Sequence, residues 1–188
     1  SIYYFAKDNL EYQRLEKQFA EKKQWIDGVP KLKTIAQIFK EHGGYEVLGS
    51  VKGSDLVGLE YIGPYDDLDA QNSAGGYPYT NETLEKNGIT SVIQHKVIDP
   101  GKDKIGNDIV VSGEGTGIVH MAPGCGDVDH KVGKEKGLIN IAPLDEEARF
   151  MDAFGWLKHK SATDSETIDL IIEDLKKRQF LVYVEEYP

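Results

Sequence analysis

The sequence predicts a mainly β fold with peripheral α-helices arranged around a closed β-barrel core. Three observations lead there. Strand-like stretches rich in Val, Ile, Leu and Tyr outnumber helical stripes along the 188 residues. The helices are scattered rather than alternating regularly with strands. No internal repeat divides the chain.

Taken in order, "IYYFA" reads as a strand. "NLEYQRLEKQFAEKKQ" places Tyr12, Leu15 and Phe19 on one helical stripe. A second short helix is expected in "LKTIAQIFKEHGG", stopped by its glycine pair. "YEVLGSVKGSDLVGLEYIG" alternates and suggests two strands around Gly53. The polar stretch 64–90 has little periodicity and reads as a long loop or insertion. Its "NET" matches a glycosylation acceptor, which without a secretory signal is a chance match. "SVIQHKVI" and "DIVVS" read as strands bracketing the turn "DPGKDKIGN". "GTGIVHMAP" is expected to be a buried strand, "DVDHKVGKEKG" a short helix entered through a glycine loop, and "LINIAPLD" a strand. "DSETIDLIIEDLKKRQ" is the clearest helix, with Ile168, Ile171, Ile172 and Leu175 on its apolar face and Asp164 or Ser165 as N-cap. "FLVYVEEYP" reads as a closing strand.

With 39% hydrophobic residues the chain can build one sizeable core. It is expected to form a single domain, 1–188. No stretch reaches the roughly 20 apolar residues that cross a bilayer, so no membrane partner is expected. The start "SIYYFAKDNLEYQ" lacks the basic and apolar regions of a signal peptide. It opens within a strand-like run and without Met, as an excised domain of a larger protein would. One cysteine cannot form an internal disulfide, which suits a reducing, cytoplasmic setting. The net charge is −10, from 22 basic and 32 acidic residues. Such a balance argues against holding nucleic acid by bulk electrostatics, and no DNA partner is expected. "KVGKEKG", "LKHK" and "LKKRQ" are local basic clusters, which read first as solvated faces.

The chemistry concentrates in "GEGTGIVHMAPGCGDVDH", residues 113–130. It holds five glycines, two histidines, two aspartates and the only cysteine. That much backbone freedom suits a place where the chain approaches a ligand closely. Asp127 stands where a helix N-cap is expected. Asp129, two residues on, is not explained by capping; it is either a surface aspartate favoured by the helix dipole or a carboxylate holding an ammonium group. His120 ends an apolar run and shares a strand face with Ile118, as a rim residue or as a pocket residue. Cys125 lies between glycines like a nucleophile on a tight turn, although a thiol nucleophile needs a base and an oxyanion hole, and most single cysteines are small apolar residues. A metal site drawn from His120, Cys125, Asp127, Asp129 and His130 is conceivable, without a CxxC or HExxH to support it.

These residues carry a resemblance. "GTGIVHMAPGCGDVDHKVGKEKGL" resembles the "GTG-[IVA]-VH-x-AP-x-x-G-x-x-D" signature of the editing (connective polypeptide) domain of isoleucyl-tRNA synthetases. "GSDLVGLEYIGPYDDL" is similar to the same family's upstream strand pair. "LIIEDLKKRQFLVYVEEYP" is similar to the helix and strand that rejoin the catalytic body. Valyl and leucyl enzymes typically carry "PAHD" after the GTG strand, whereas "MAPGCGDVD" preceded by His120 follows the isoleucyl pattern. The catalytic signatures "HIGH" and "KMSKS" are absent.

The resemblance implies the β-barrel of the valyl/isoleucyl/leucyl-tRNA synthetase editing domains and a hydrolytic role. A parent ligase joins isoleucine to tRNA(Ile) using ATP and Mg in its catalytic domain. Its editing domain, with no cofactor of its own, hydrolyses valyl-tRNA(Ile) and helps to clear valyl-adenylate. Valine versus isoleucine is a standard illustration of the weak discrimination that one methylene allows and that editing corrects. By resemblance, Asp129 holds the substrate's α-ammonium and His120 lies near the amino-acid side chain. Gly115, Thr116 and Gly117 let backbone approach the ligand. Cys125 falls at a variable position. The implied partners are the valine-bearing 3′ end of tRNA(Ile) and the remaining domains of the synthetase. The family also lines its pocket with a threonine-rich segment of the type "TTxPWT", upstream of the residues present, so weak editing by this stretch alone is expected. Two alternatives stay open: a module that binds an aminoacylated nucleotide without hydrolysing it, and a thiol hydrolase using Cys125.

Overall fold

A computed structural model describes residues 1–12, 32–111 and 115–184. These fall into two compact units: 1–52 with 100–120 and 183–188, and 53–99 with 121–182.

In the first unit, a short 3-10 turn, Lys7–Asn9, precedes helix α1, Ile35–Glu41. Most of the expected first helix, with Leu15 and Phe19, lies outside the described residues. The expected second helix is α1. Thr34 and Gln37 form a reciprocal capping box at its start, Thr34 Oγ1 accepting from the Gln37 N–H at 3.2 Å and Gln37 Oε1 from the Thr34 N–H at 2.8 Å. Gly44 ends it, its N–H reaching the Phe39 carbonyl at 2.9 Å from a positive φ of 92°. Phe39 gathers Tyr3, Phe5 and Tyr45, with ring centroids 5.1–6.0 Å apart.

The second unit holds α2 (Gly53–Leu56), α3 (Asp69–Asn72), α4 (Glu82–Lys86), α5 (Asp127–Lys136) and α6 (Ser165–Lys177). Its core is Leu68, Ala70, Phe154 and Leu157, with Tyr65, Tyr77, Ile141, Phe150 and Ile171 packed around them. Leu68 and Ala70 come from the polar stretch 64–90, which also contains α3 and α4. The Tyr77 hydroxyl accepts the Ala153 N–H at 3.2 Å, tying that stretch to the 3-10 run Asp152–Leu157.

The β-barrel expectation is overturned. Among the described residues there is no strand and no sheet, only isolated bridges: Glu60 with Lys96, Tyr77 with Ile141, Lys102 with Asp108, Leu144 with Phe150 and Arg149 with Ser161. Alternation in a sequence reports that a segment suits a half-buried pleated surface; it supplies no partner, and β preference is set by that context. "GTGIVHMAP" shows the difference: it begins with a turn and joins no bridge, and Ile118 and Val119 are 48% and 50% exposed rather than buried. "IYYFA" likewise joins no bridge, and "YEVLGSVKGSDLVGLEYIG" contains α2 where two strands were expected. One local backbone pairing joins residues 58–61 to 95–97. Tyr61 N–H donates to the His95 carbonyl and Val97 N–H to the Leu59 carbonyl, and Gly58, at φ 91°, ends it. Between "SVIQHKVI" and "DIVVS" the expected turn is present, closed by the Lys102–Asp108 bridge and by Asp103, whose side chain accepts the N–H groups of Ile105 and Asn107.

Helix α6 matches the sequence reading in extent and in most of its facing. Thr167 is its buried residue at 3% exposure, while Ile168 is 45% exposed. Leu170, Ile171, Ile172, Asp174 and Leu175 are partly buried, so Ile168 alone of the expected apolar face turns outward. The helix is anchored at its C-terminus. There the Arg178 guanidinium meets both oxygens of Asp67 at 3.0 and 3.3 Å, the Pro64 carbonyl at 3.1 Å and Asp174 at 2.9 Å. It also lies 5.6 Å from the centre of the Tyr65 ring. Asp174 and Arg178 therefore face the 64–67 turn.

Candidate functional site

The sequence-predicted site residues are distributed over both units. Gly115, Thr116, Gly117 and His120 lie in the first, Asp129 in the second.

In the first unit, residues 115–117 form a turn held by the N-terminal segment. The Ala6 N–H donates to the Thr116 carbonyl at 2.6 Å and the buried Asn9 side chain to the Gly115 carbonyl at 2.9 Å. Gly115 and Gly117 have φ of 52° and 75°, and a Cβ on Gly117 would strike Ala6. Glycine is demanded here by the turn itself and by the approach of residue 6. Thr116 Oγ1 lies 3.0 Å from the Ile118 carbonyl and accepts the Ile118 N–H at 3.3 Å, so its hydroxyl is engaged within the turn. His120 is exposed, in backbone outside any helix.

In the second unit, residues 122–130 form a tight turn running into α5. Gly126, not Asp127, is the N-cap, with extended φ and ψ of −156° and 151°, and Asp127 is the first helical residue. Val128 points outward, 45% exposed, and Asp129 is half-buried. One oxygen of Asp129 accepts the Ala122 N–H at 3.1 Å, so the helix carboxylate reaches back across the turn. That bond fixes its rotamer and leaves its second oxygen for another donor. His130 adds a second brace, with Nδ1 at 3.2 Å from the Pro123 carbonyl. The same turn needs two glycines that a motif reading passes over. A Cβ on Gly124 would collide with the Ile141 carbonyl, and one on Gly133 would meet the Pro123 ring at 2.7 Å. Gly124 thus lets the turn lie directly on residues 140–141, and Gly133 lets α5 close on Pro123. Their spacing, and the positive φ of 66° at Gly137 that ends the helix, are the signals that mark them.

Cys125 is exposed as a residue, but burial of its sulfur and the neighbouring Asp129 carboxylate push the thiol above its ordinary pKa. Both effects disfavour the thiolate that a nucleophile requires. Among the described residues no three of the His, Cys, Asp and Glu side chains are grouped to hold a metal ion. None of the described helices is long and apolar enough to cross a membrane.

A second polar cluster was not anticipated. The His95 ring stacks on Tyr61 at 5.0 Å; its Nδ1 lies 3.1 Å from Asp66 Oδ1 and its Nε2 3.3 Å from Ser91 Oγ. The order of groups resembles a hydrolase relay, but Nδ1 is out of line for a hydrogen bond to Asp66. The other Asp66 oxygen is taken by the Gly63 N–H at 2.9 Å. The cluster joins the 63–66 turn to residues 91–95, and burial beside Asp66 raises the Tyr61 phenol above its ordinary pKa.

No family model matches the chain. It is similar to an isoleucine–tRNA ligase of Sulfurihydrogenibium sp. (strain YO3AOP1), 34% identical over 156 residues, which are 81% of this chain and 13% of that protein. The isoleucine–tRNA ligase of Aquifex pyrophilus is 35% identical over 181 residues, 95% of this chain and 29% of the relative. That of Methanocaldococcus jannaschii is 29% identical over 179 residues, 93% of this chain and 15% of the relative. The chain thus spans between about an eighth and three tenths of these relatives. A likeness that runs along nearly the whole chain, to ligases of the same name from bacteria and an archaeon, means that the chain belongs to the isoleucine–tRNA ligase family.

Proposed function

We propose that this chain carries the post-transfer editing site of an isoleucine–tRNA ligase. The parent enzyme joins isoleucine to tRNA(Ile) using ATP, in the cytoplasm. The stretch described here hydrolyses valine esterified to that tRNA and helps to clear valyl-adenylate. In the ester reaction a water oxygen adds to the valyl carbonyl, the bond to the ribose oxygen breaks, and that oxygen leaves with a proton. Free valine and tRNA result.

The observation that carries this reading is the setting of Asp129 within a motif resembling that of the editing domains. The Ala122 N–H holds one carboxylate oxygen at 3.1 Å, and the other is free to take the α-ammonium of the bound amino acid. A fixed ion pair at the ammonium presents the carbonyl to water in one pose, which converts binding into rate. His120, beside the amino-acid side chain, and the backbone of Gly115, Thr116 and Gly117 are assigned to substrate contact on the resemblance alone. The raised thiol of Cys125 supports attack by water rather than by sulfur.

The test is Asp129→Ala in the intact parent enzyme. Removing a charged hydrogen bond costs about 1.5–3 kcal/mol, and lost orientation adds to it. Deacylation of valyl-tRNA(Ile) is expected to fall by at least about 100-fold, equivalent to roughly 2.7 kcal/mol of barrier. Charging with isoleucine, done in another domain, persists, and valyl-tRNA accumulates. A folded variant that clears valyl-tRNA at the parental rate overturns the assignment.

A further inference from the structure

Asn87 and Gly88 form the one Asn–Gly pair of the chain. Such a pair carries its own reaction. The glycine nitrogen can attack the carbonyl carbon of the asparagine side chain, because no Cβ shields it and the glycine backbone turns freely. A bond forms between that nitrogen and Cγ, and the Cγ–Nδ2 bond breaks. The proton of the attacking nitrogen goes to the leaving group, which departs as ammonia. Water then opens the cyclic imide at either carbonyl, giving aspartate or isoaspartate. No other reactant is needed, so the geometry at the pair decides how readily a folded chain reacts.

The pair ends α4, and both residues are exposed. Asn87 is the C-cap, with φ −89° and ψ 2°. A ψ near zero sets the Gly88 nitrogen in line with the nitrogen of Asn87 itself, whereas ring closure needs it in line with Cβ. Two hydrogen bonds hold the unreactive arrangement. The Gly88 N–H donates to the Glu85 carbonyl at 2.9 Å, and the Asn87 amide to the Thr83 carbonyl at 2.9 Å. Nucleophile and leaving group are therefore both held by the last turn of one helix. That helix has only five residues, too few to persist alone. Its start depends on Asn81, whose side chain accepts the N–H groups of Thr83 at 3.0 Å and Leu84 at 3.2 Å. Nothing lies within 4 Å of where a Cβ on Gly88 would stand, so packing adds no second lock. Asn72 is held more firmly: its Nδ2 donates to the carbonyls of Asp66 at 2.7 Å and of the core residue Leu68 at 3.1 Å.

We propose that Asn87 is a deamidation site, gated by opening of the last turn of α4 rather than by unfolding of the chain. Conversion changes the structure around it. A carboxylate cannot donate to the Thr83 carbonyl, and it sets a negative charge at the C-terminal end of the helix, where the dipole disfavours it. Isoaspartate also lengthens the main chain by a methylene just before Gly88. The Ile89 N–H donates to the Leu84 carbonyl at 2.9 Å, and the Ile89 carbonyl accepts the Gly75 N–H at 2.8 Å. The added methylene disturbs both, and with them the tie between α4 and Gly75. None of the residues assigned to editing takes part, so the two proposals stand or fall separately.

The experiment incubates the 188-residue chain in mildly alkaline buffer, native and urea-unfolded. Each asparagine is followed by peptide mass spectrometry, with isoaspartate separated chromatographically from aspartate. Both products are expected at Asn87 before any other asparagine converts. The native chain should react about 10–100-fold more slowly than the unfolded one, the factor that two ordinary hydrogen bonds supply. Asn81→Ala removes the N-cap and leaves the reacting pair intact. It should react about fivefold faster than the parent in the native state. Asn81→Asp keeps the accepting oxygen and should react as the parent does. Circular dichroism shows whether each variant is folded, and the comparison of native with unfolded parent needs no variant. The proposal is overturned if native and unfolded chains react alike, or if Asn72 converts first. It is equally overturned if the native chain is slower by more than about 1,000-fold, as a requirement for global unfolding would make it. A folded Asn81→Ala variant that reacts at the parental rate overturns the gate.

Discussion

At the scale of single residues, the segment 122–130 shows why a dense motif need not spend every residue on chemistry. Asp129 is braced by Ala122, and His130 by Pro123. Gly124 exists because the Ile141 carbonyl occupies the space of its missing Cβ. The account predicts that Gly124→Ala lowers stability by about 1–3 kcal/mol, the usual cost of forcing extra atoms into a filled space, as read by denaturant unfolding. It also shifts the turn that presents the Ala122 N–H, so editing by the parent enzyme falls with it. Gly137→Ala is the control. Its positive φ of 66° makes alanine costly, but nothing lies within 4 Å of the added atom. It should lose about 1–2 kcal/mol of stability while editing by the folded fraction is unchanged. A Gly124→Ala variant as stable as the parent contradicts the packing described for that turn.

At the scale of elements, the junction of α6 with the 64–67 turn is electrostatic, and its pH dependence follows. The Arg178 guanidinium, through its hydrogen bonds, holds the Asp67 carboxyl below the usual carboxylate range. A carboxyl whose pKa is lowered by folding contributes stability that is present above its unfolded pKa, near 4. That contribution is lost as the pH falls through the lower, folded value. Asp67 is largely exposed, so solvent screens most of it. Asp67→Asn should therefore lower the thermal midpoint by only about 1–3 °C at pH 7, and the gap should close as the pH falls through and below the lowered carboxyl pKa. A gap that widens on acidification would place the stabilisation elsewhere. The same junction shows what the sequence could convey. The extents of α1, α5 and α6 were legible because helices carry their signals locally, in caps, stop glycines and a 3.6-residue stripe. The anchor of α6 on the 64–67 turn was not, because Asp67 lies 111 residues from Arg178. The strands failed for the stronger form of the same reason: a β-segment is defined by its partner, and alternation in "GTGIVHMAP" names none. Within the candidate site, the residue types at Asp129 and His120 were legible in the motif. The needs of Gly124 and Gly133 were not, since each depends on a backbone or ring that meets it only in the fold.

At the scale of the whole molecule, the described residues form two units, and the motif passes from one to the other after His120. The size selection proposed for the parent is a property of a larger protein, since the chain spans 13–29% of the relatives compared. A site built to remove valine must reject isoleucine on size, since the two share every polar group that Asp129 could hold. One methylene is worth about 1–3 kcal/mol in a fitted pocket, or roughly 10–200-fold. The measurement that bears most directly on the editing assignment is therefore the ratio of hydrolysis rates of valyl-tRNA(Ile) and isoleucyl-tRNA(Ile) by the intact parent enzyme under single-turnover conditions. The account predicts that the valyl ester is cleared at least about tenfold faster. It also predicts that Asp129→Ala removes this fast clearance while leaving the slow background of both esters. Equal rates for the two esters in the parent enzyme would contradict it.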